Sequence, residues 1–273
     1  MSTSPITFIG GGNMARSLIA GLVRQGVAPA SIHVAEPVTG LREQLTAEFG
    51  IRTYASASEA AAQGSVWVLA VKPQVLRDVC ASLTDIAHGK QPLVVSIAAG
   101  ITSGQLDRWL GGGQAVVRAM PNTPALLGAG VTGLFATAAV SDAQRAQADT
   151  VLASAGRTVW IDNEARMDAV TAVSGSGPAY VFLLAEAMEA AGIAQGLPAD
   201  AARTLVVQTL LGASRMLDES GEAPAELRRR VTSPNGTTQA AIESFQADGF
   251  EAMVARAIDA ATTRGQALSA AND

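Results

Sequence analysis

Gly10-Gly11-Gly12-Asn13-Met14-Ala15 stands between a short apolar run, residues 6–9, and an amphipathic stretch. The pattern is G-x-G-x-x-A. Its first glycine permits a tight turn, its second lets backbone approach a pyrophosphate, and the small last residue lets helix and strand pack closely. Backbone N–H groups opening such a helix face an anion. Glycine turns between strand and helix also occur for packing alone, so the acid that follows matters. Glu36 ends the second apolar run. A carboxylate there accepts hydrogen bonds from the adenosine ribose hydroxyls and repels a 2′-phosphate, which favours NADH. Two alternatives stay open: Arg42 could reach a phosphate, and Glu36 could be a surface acid before Pro37.

Four other stretches carry candidate chemistry. Ala70-Val71-Lys72-Pro73 and Ala98-Ala99-Gly100 follow the fourth and fifth apolar runs, at strand ends where open α/β sheets place ligands. Small residues at 98–100 would let a nicotinamide ribose lie against backbone, and Lys72 is either a cationic anchor or an ordinary exposed lysine. Gly175, Ser176, Gly177 and Pro178 interrupt a helical pattern, for close approach by a partner or as a packing kink. The polar loop at 230–239 runs into a helix beginning near Thr237. Its hydroxyls and N–H groups suit a carboxylate, or they merely cap a helix. His33, inside a strand, and His88, in a polar loop, are read as structural. No general base is conspicuous, whereas alcohol oxidation usually needs one. Reduction of a protonated imine demands less, chiefly that the reactants be held and oriented.

The elements that must position these residues change character along the chain. Candidate strands at 6–9, 32–35, 52–54, 66–71, 93–97, 115–118, 133–136 and 157–161 alternate early on with helical patterns at 14–25, 39–49, 58–62 and 74–83. Runs such as VWVLAV and LVVSI are apolar on both faces, as strands covered on both sides must be. This predicts a doubly wound, mostly parallel α/β sheet. After Asp162 the pattern is helical throughout, at 167–191, 199–219, 223–231, 237–247 and 250–270, with Gly192, Gly221 and Gly249 as expected stops. The expected division is therefore a dinucleotide-binding domain at 1–162 and an all-α domain at 163–273.

Composition narrows the functional classes. The chain has 273 residues, 48% of them hydrophobic, and a net charge of −5, which argues against nucleic-acid binding. The run Arg228-Arg229-Arg230 reads as a solvated helix face. No apolar stretch is long enough to span a bilayer, and Met1-Ser2-Thr3-Ser4-Pro5 is too short and uncharged for a signal peptide. The single cysteine, Cys80, forms no internal disulfide, and no Cys/His cluster has metal-ligand spacing. A cytoplasmic protein without a metal or membrane partner is expected.

Together, FIGGGNMA, AVKPQ, SIAAG, MPNTP, DAVTAVSGSGPAY and VTSPNGTTQAAIESF resemble, in order, the blocks of the Δ1-pyrroline-5-carboxylate reductases. The resemblance covers nearly the whole chain, and VTSPNGTT with SGSGPAY is its most specific part. It implies an N-terminal Rossmann domain, a helical C-terminal dimerisation domain, and a decamer of five dimers. It implies reduction of L-1-pyrroline-5-carboxylate to L-proline with NADPH or NADH. Gly10, Gly11, Gly12, Asn13, Met14, Ala70, Val71, Lys72, Pro73, Ala98, Ala99 and Gly100 would line the dinucleotide, with Glu36 at its ribose. Ser233, Gly236, Thr237 and Thr238 would receive the substrate carboxylate and ring, the Thr238 hydroxyl meeting the ring nitrogen, in a pocket combining two subunits. Glu164 matches a position of substrate contacts in some members. Glu36 departs from the serine-like residues of NADPH-preferring members, Arg230 from an asparagine and Thr237 from an alanine. The rivals are a reductase of another cyclic imine, a 2-hydroxy-acid dehydrogenase and a non-catalytic dinucleotide-binding regulator.

Overall fold

Alternate residues of the short apolar runs go to opposite sides of one sheet. β1 (Ile6–Ile9) sends Phe8 into one core and Ile9 into the other; β4 (Val66–Leu69) divides Val68 from Trp67, and β5 (Leu93–Ser96) divides Val95 from Val94. Burial on both faces is why these runs lack polar alternation. The computed structural model describes residues 4–272; residues 1–3 of the N-terminal stretch read above lie outside it.

The remaining strands are β2 (Ile32–Ala35), β3 (Arg52–Tyr54), β6 (Ala115–Met120), β7 (Gly130–Ala136) and β8 (Gly156–Trp160). They form one eight-stranded sheet in the order β3-β2-β1-β4-β5-β6-β7-β8. Pairing is parallel from β3 through β6; β7 runs antiparallel to β6, and β8 parallel to β7. Ile6 lies opposite Ile32 on one side and Val66 on the other. The winding reverses between β1 and β4, which opens a crevice beyond their carboxyl ends. The doubly wound, mostly parallel sheet expected from the sequence is present.

Around the sheet lie α1 (Asn13–Arg24), α2 (Thr39–Phe49), α3 (Ala57–Ala61), α4 (Pro73–Lys90), α5 (Ser103–Trp109) and α6 (Asp142–Leu152). Two expectations need correcting. The fourth helix does not end near Leu83: Ala87 continues the buried stripe of Leu76, Cys80 and Leu83, so His88 sits in its last turn rather than in a loop. The helix expected over 167–191 is broken into α7 (Met167–Val170), a π turn (Thr171–Gly175) and α8 (Gly177–Ala194). Ser176 N–H bonds the Thr171 carbonyl at 2.8 Å, and Pro178 falls in the first turn of α8, where its missing donor costs nothing. Gly192 lies inside α8 and packs toward Leu197 and Ala202; Gly196, at φ +94°, follows the helix end instead.

The chain divides into two compact units. One runs to Ser176 and takes in the chain from Ala260 on; the other is Gly177–Asp259. In this division α7 belongs with the sheet, Arg118 of β6 reaching Asp168. The second unit holds α8, α9 (Ala199–Glu219), α10 (Pro224–Arg230), α11 (Thr237–Ala247) and the start of α12 (Phe250–Ala271). Here α8 packs on α9, leaving Phe182, Leu183, Leu205, Leu211 and Met216 more than half exposed. No helix among the described residues is long and apolar enough to cross a membrane.

His33 lies in β2, buried, with Nδ1 3.0 Å from the Tyr54 hydroxyl oxygen. Burial, and then the Arg52 cation, lower its pKa below the ordinary 6.5. Above that value the ring is neutral in both states. As pH falls below it, the unfolded chain takes up a proton that the folded chain refuses, so stability declines until the folded value is passed. Urea melts between about pH 8 and about pH 5 will therefore show an acid-side loss that shrinks in His33→Gln.

Candidate functional site

The glycine turn sits at the carboxyl end of β1, at the reversal point. Gly10 adopts φ +107°, donates to the Ala35 carbonyl at 2.9 Å, and leaves no room for a side chain: a Cβ would lie 2.8 Å from the Ala70 carbonyl oxygen. At Gly11 a Cβ would lie 2.7 Å from a Leu45 methyl, whereas nothing stands within 4 Å of one at Gly12. Gly12 is the N-cap of α1, and no side chain caps that helix. Asn13 and Met14 begin the helix, and Ala15 is buried against the strand. The result is a tight turn under an open helix N-terminus, the shape and polarity that a pyrophosphate requires.

Glu36 is buried, not a surface acid. Its Oε2 accepts from Gly11 N–H at 3.1 Å and its Oε1 from Val38 N–H at 3.0 Å, so the carboxylate is held beside the glycine turn. Arg42 does not pair with it. Its guanidinium donates to the Glu36 and Pro37 carbonyls and to Thr39 Oγ1 at 2.7–2.9 Å. The cation that could have met a 2′-phosphate is thus held on backbone, while the negative charge is fixed at the turn.

Across the crevice, Ala70 N–H bonds the Ile9 carbonyl at 2.8 Å, and Lys72 stands exposed at the N-cap of α4, followed by Pro73 at the first helical position. Ala98, Ala99 and Gly100 form the loop between β5 and α5, with Gly100 at φ +70°. Leu268 of α12 lies beneath Gly100, whose Cβ would come within 3.2 Å of it.

Glu164 takes part in a cluster that the sequence did not reveal. Its carboxylate accepts from Ser103 N–H and from Ser103 Oγ, each at 2.6 Å, and lies 3.5 Å from the Arg118 guanidinium. Arg118 in turn donates to Asp168 Oδ1 at 3.2 Å. The only local sign was an arginine inside the apolar strand AVVRAM, which must find an anion if buried.

In the second unit, Asn235 adopts φ +60° and Gly236 caps α11 without any side-chain bond. Asn235 N–H is taken by Gln239 Oε1 at 2.7 Å and Gly236 N–H by the Ser233 carbonyl at 3.0 Å. The helix start at Thr237 and Thr238 carries no side-chain cap, as an anion site needs. The neighbouring arginines are engaged: Arg229 holds Glu226 at 2.5 Å, keeping that carboxyl below its usual range, and Arg230 meets Glu222 at 2.7 Å.

Comparison with known proteins adds the following. Residues 164–268 match the family model for pyrroline-5-carboxylate reductase dimerisation, and residues 5–100 match that for NADP oxidoreductase, coenzyme F420-dependent. The chain is 54% identical over 269 residues to the pyrroline-5-carboxylate reductase of Pseudomonas aeruginosa, covering 98% of each. A pyrroline-5-carboxylate reductase structure from Coxiella burnetii superposes with a TM-score of 0.95 at 40% identity, covering 98% of this chain and 99% of that one. The Plasmodium falciparum pyrroline carboxylate reductase, solved with NADP bound, gives 0.86 at 28% identity over the same shares.

Proposed function

The chain belongs to the pyrroline-5-carboxylate reductase family, and from that premise we propose that it reduces L-1-pyrroline-5-carboxylate to L-proline with NADPH or NADH, the final step of proline biosynthesis. One observation carries the reading: a glycine turn fitted for a dinucleotide, with Gly10 locked against Ala70 at the reversal point, in a chain collinear with reductases along nearly its whole length. Bound there, the reduced dinucleotide supplies a hydride to the C=N carbon. The turn and the start of α1 would hold its pyrophosphate, Glu36 its ribose, and residues 70–73 and 98–100 would line its length.

The uncapped start of α11 receives the substrate carboxylate through Ser233, Thr237 and Thr238, with Gly236, whose N–H is held by the Ser233 carbonyl, closing the turn that precedes them. A proton from solution makes the imine an iminium, whose N–H donates to the Thr238 hydroxyl oxygen. Once the C=N bond is reduced, the nitrogen would leave as a neutral amine, so no group on the enzyme would need to change charge. Orientation supplies most of the acceleration. The Thr238 bond is worth about 1.5–3 kcal/mol as a contact to a charged partner. Thr238→Ala should therefore lower kcat by roughly 10- to 100-fold and leave the dinucleotide Kd unchanged. Unchanged turnover removes Thr238 from the mechanism.

The helical part, residues 163–273, is the dimerisation and substrate domain in this reading. The exposed Phe182, Leu183, Leu205, Leu211 and Met216 are the kind of surface that a second copy covers, with five dimers forming a decamer in the cytoplasm. Initial rates of NADPH and NADH oxidation with pyrroline-5-carboxylate, against a no-substrate control, test the reaction. Turnover with either establishes it, with faster NADH oxidation tracing to Glu36 and the tethered Arg42. No turnover from folded, assembled protein leaves a dinucleotide-binding regulator.

A further inference from the structure

We propose that Glu164 is a positioning residue for the dinucleotide side of the site: backed by Arg118, it holds the first residue of α5 and so fixes the backbone of Ala98, Ala99 and Gly100. The proposal rests on the reading of that loop as the nicotinamide wall. A loop stays in place only if both of its ends are anchored. At its β5 end, Ile97 N–H bonds the Leu69 carbonyl at 3.2 Å and Ala98 N–H bonds Ser96 Oγ at 3.3 Å. At its α5 end, both donors of Ser103 go to Glu164. α5 spans only Ser103–Trp109; a Thr102/Gln105 capping box closes its first turn locally, and Glu164 ties that turn to the rest of the unit, support that a helix this short needs.

The orientation of Glu164 is set from behind. Arg118 is 4% exposed and sits between Glu164 and Asp168. Asp168 is packed against α12, where Gly265 passes so close that a Cβ there would come within 3.2 Å of its carboxylate. The same end of α12 holds the loop and α5 directly. Asn272 Nδ2 donates to the Gly100 carbonyl at 3.3 Å, and Gln105 Nε2 to the Ser269 carbonyl at 2.9 Å. Glu164 is thus spent on Ser103 and Arg118, and its negative charge is the wrong sign to receive a substrate carboxylate.

Displacing a positioned group by about 1 Å costs on the order of 100-fold in rate. Fluorescence titration with NADPH reads the dinucleotide Kd without turnover, and steady-state kinetics at saturating dinucleotide read the substrate KM and kcat. Glu164→Ala should raise the dinucleotide Kd about tenfold or more and lower kcat, while the pyrroline-5-carboxylate KM stays within about twofold. Glu164→Gln keeps an acceptor for the Ser103 N–H, while its amide N–H can donate to the Ser103 hydroxyl oxygen, and it should recover most of the loss. Ser103→Ala, which removes one bond and no charge, should shift Kd in the same direction by less, and it carries the test if Glu164→Ala does not fold. A raised substrate KM with unchanged dinucleotide Kd would overturn the proposal and make Glu164 a substrate contact. Lost thermal stability with both constants unchanged would overturn it as well. Absence of wild-type turnover counts against the proposed reaction, whereas wild-type turnover with an unmoved Kd in the variants counts against the positioning role alone.

Discussion

Gly10→Ala will weaken dinucleotide binding by about 100-fold or more, equivalent to roughly 2.7 kcal/mol. The backbone there is at φ +107°, and the new methyl would meet the Ala70 carbonyl oxygen at 2.8 Å. That oxygen belongs to main chain, held by the Ala70 N–H bond to Ile9, so it cannot rotate aside as a side chain would. The turn itself must move, carrying the start of α1 with it. Gly12→Ala is the control. Nothing lies within 4 Å of its Cβ position, and φ is −68°, so stability should hold while the methyl intrudes on the space left for the pyrophosphate. NADPH titration beside urea melts separates the two: Gly10→Ala loses binding and stability together, Gly12→Ala binding alone. Equal Kd values for Gly10→Ala and wild type would show that the turn does not hold the dinucleotide.

Arg118→Met will destabilise the first unit by about 3–5 kcal/mol, the cost of removing one partner from a buried ion pair. Its side chain is 5% exposed and that of Asp168 10%. The replacement fills the volume but leaves two carboxylates, Asp168 and Glu164, without the cation between them. Adding Asp168→Leu removes the stranded charge, and the double variant should regain part of the loss. Denaturant midpoints for the two singles and the double check this; additive losses would mean that the residues do not act as a pair.

The sheet was legible because its signal is local. Phe8 and Ile9, or Trp67 and Val68, must go to opposite cores, and a short run apolar at every position has few other ways to be buried. The missing helices α5 and α6 were also written locally, in Thr102-x-x-Gln105 and Ser141-x-x-Gln144. Each forms a complete capping box, a start signal independent of hydrophobic periodicity. The break at the π turn was only half visible. Glycines and a proline marked an interruption, but the close passage of Met120 beside Gly175 is a tertiary fact.

The site divides along the same line. The glycine turn and the start of α11 are contiguous in sequence and could be read from spacing. The burial of Glu36 and the tethering of Arg42 to its carbonyl could not, since both depend on how the turn folds back. The Arg118 cluster was least accessible, because Ser103, Arg118 and the neighbouring Glu164 and Asp168 come from three separate segments joined only by packing.

α12 begins in the second unit and ends in the first, which makes the first unit discontinuous along the chain. On the ribosome, a unit folds as its residues emerge, amino-terminal parts first. The sheet through β8 can therefore form early, yet Leu268 and Ser269, which seat Gly100 and Gln105, are synthesised only after the whole of the second unit. The nascent chain thus carries a formed sheet with an unfinished loop, and residues 98–100 are seated last, when translation delivers the end of α12.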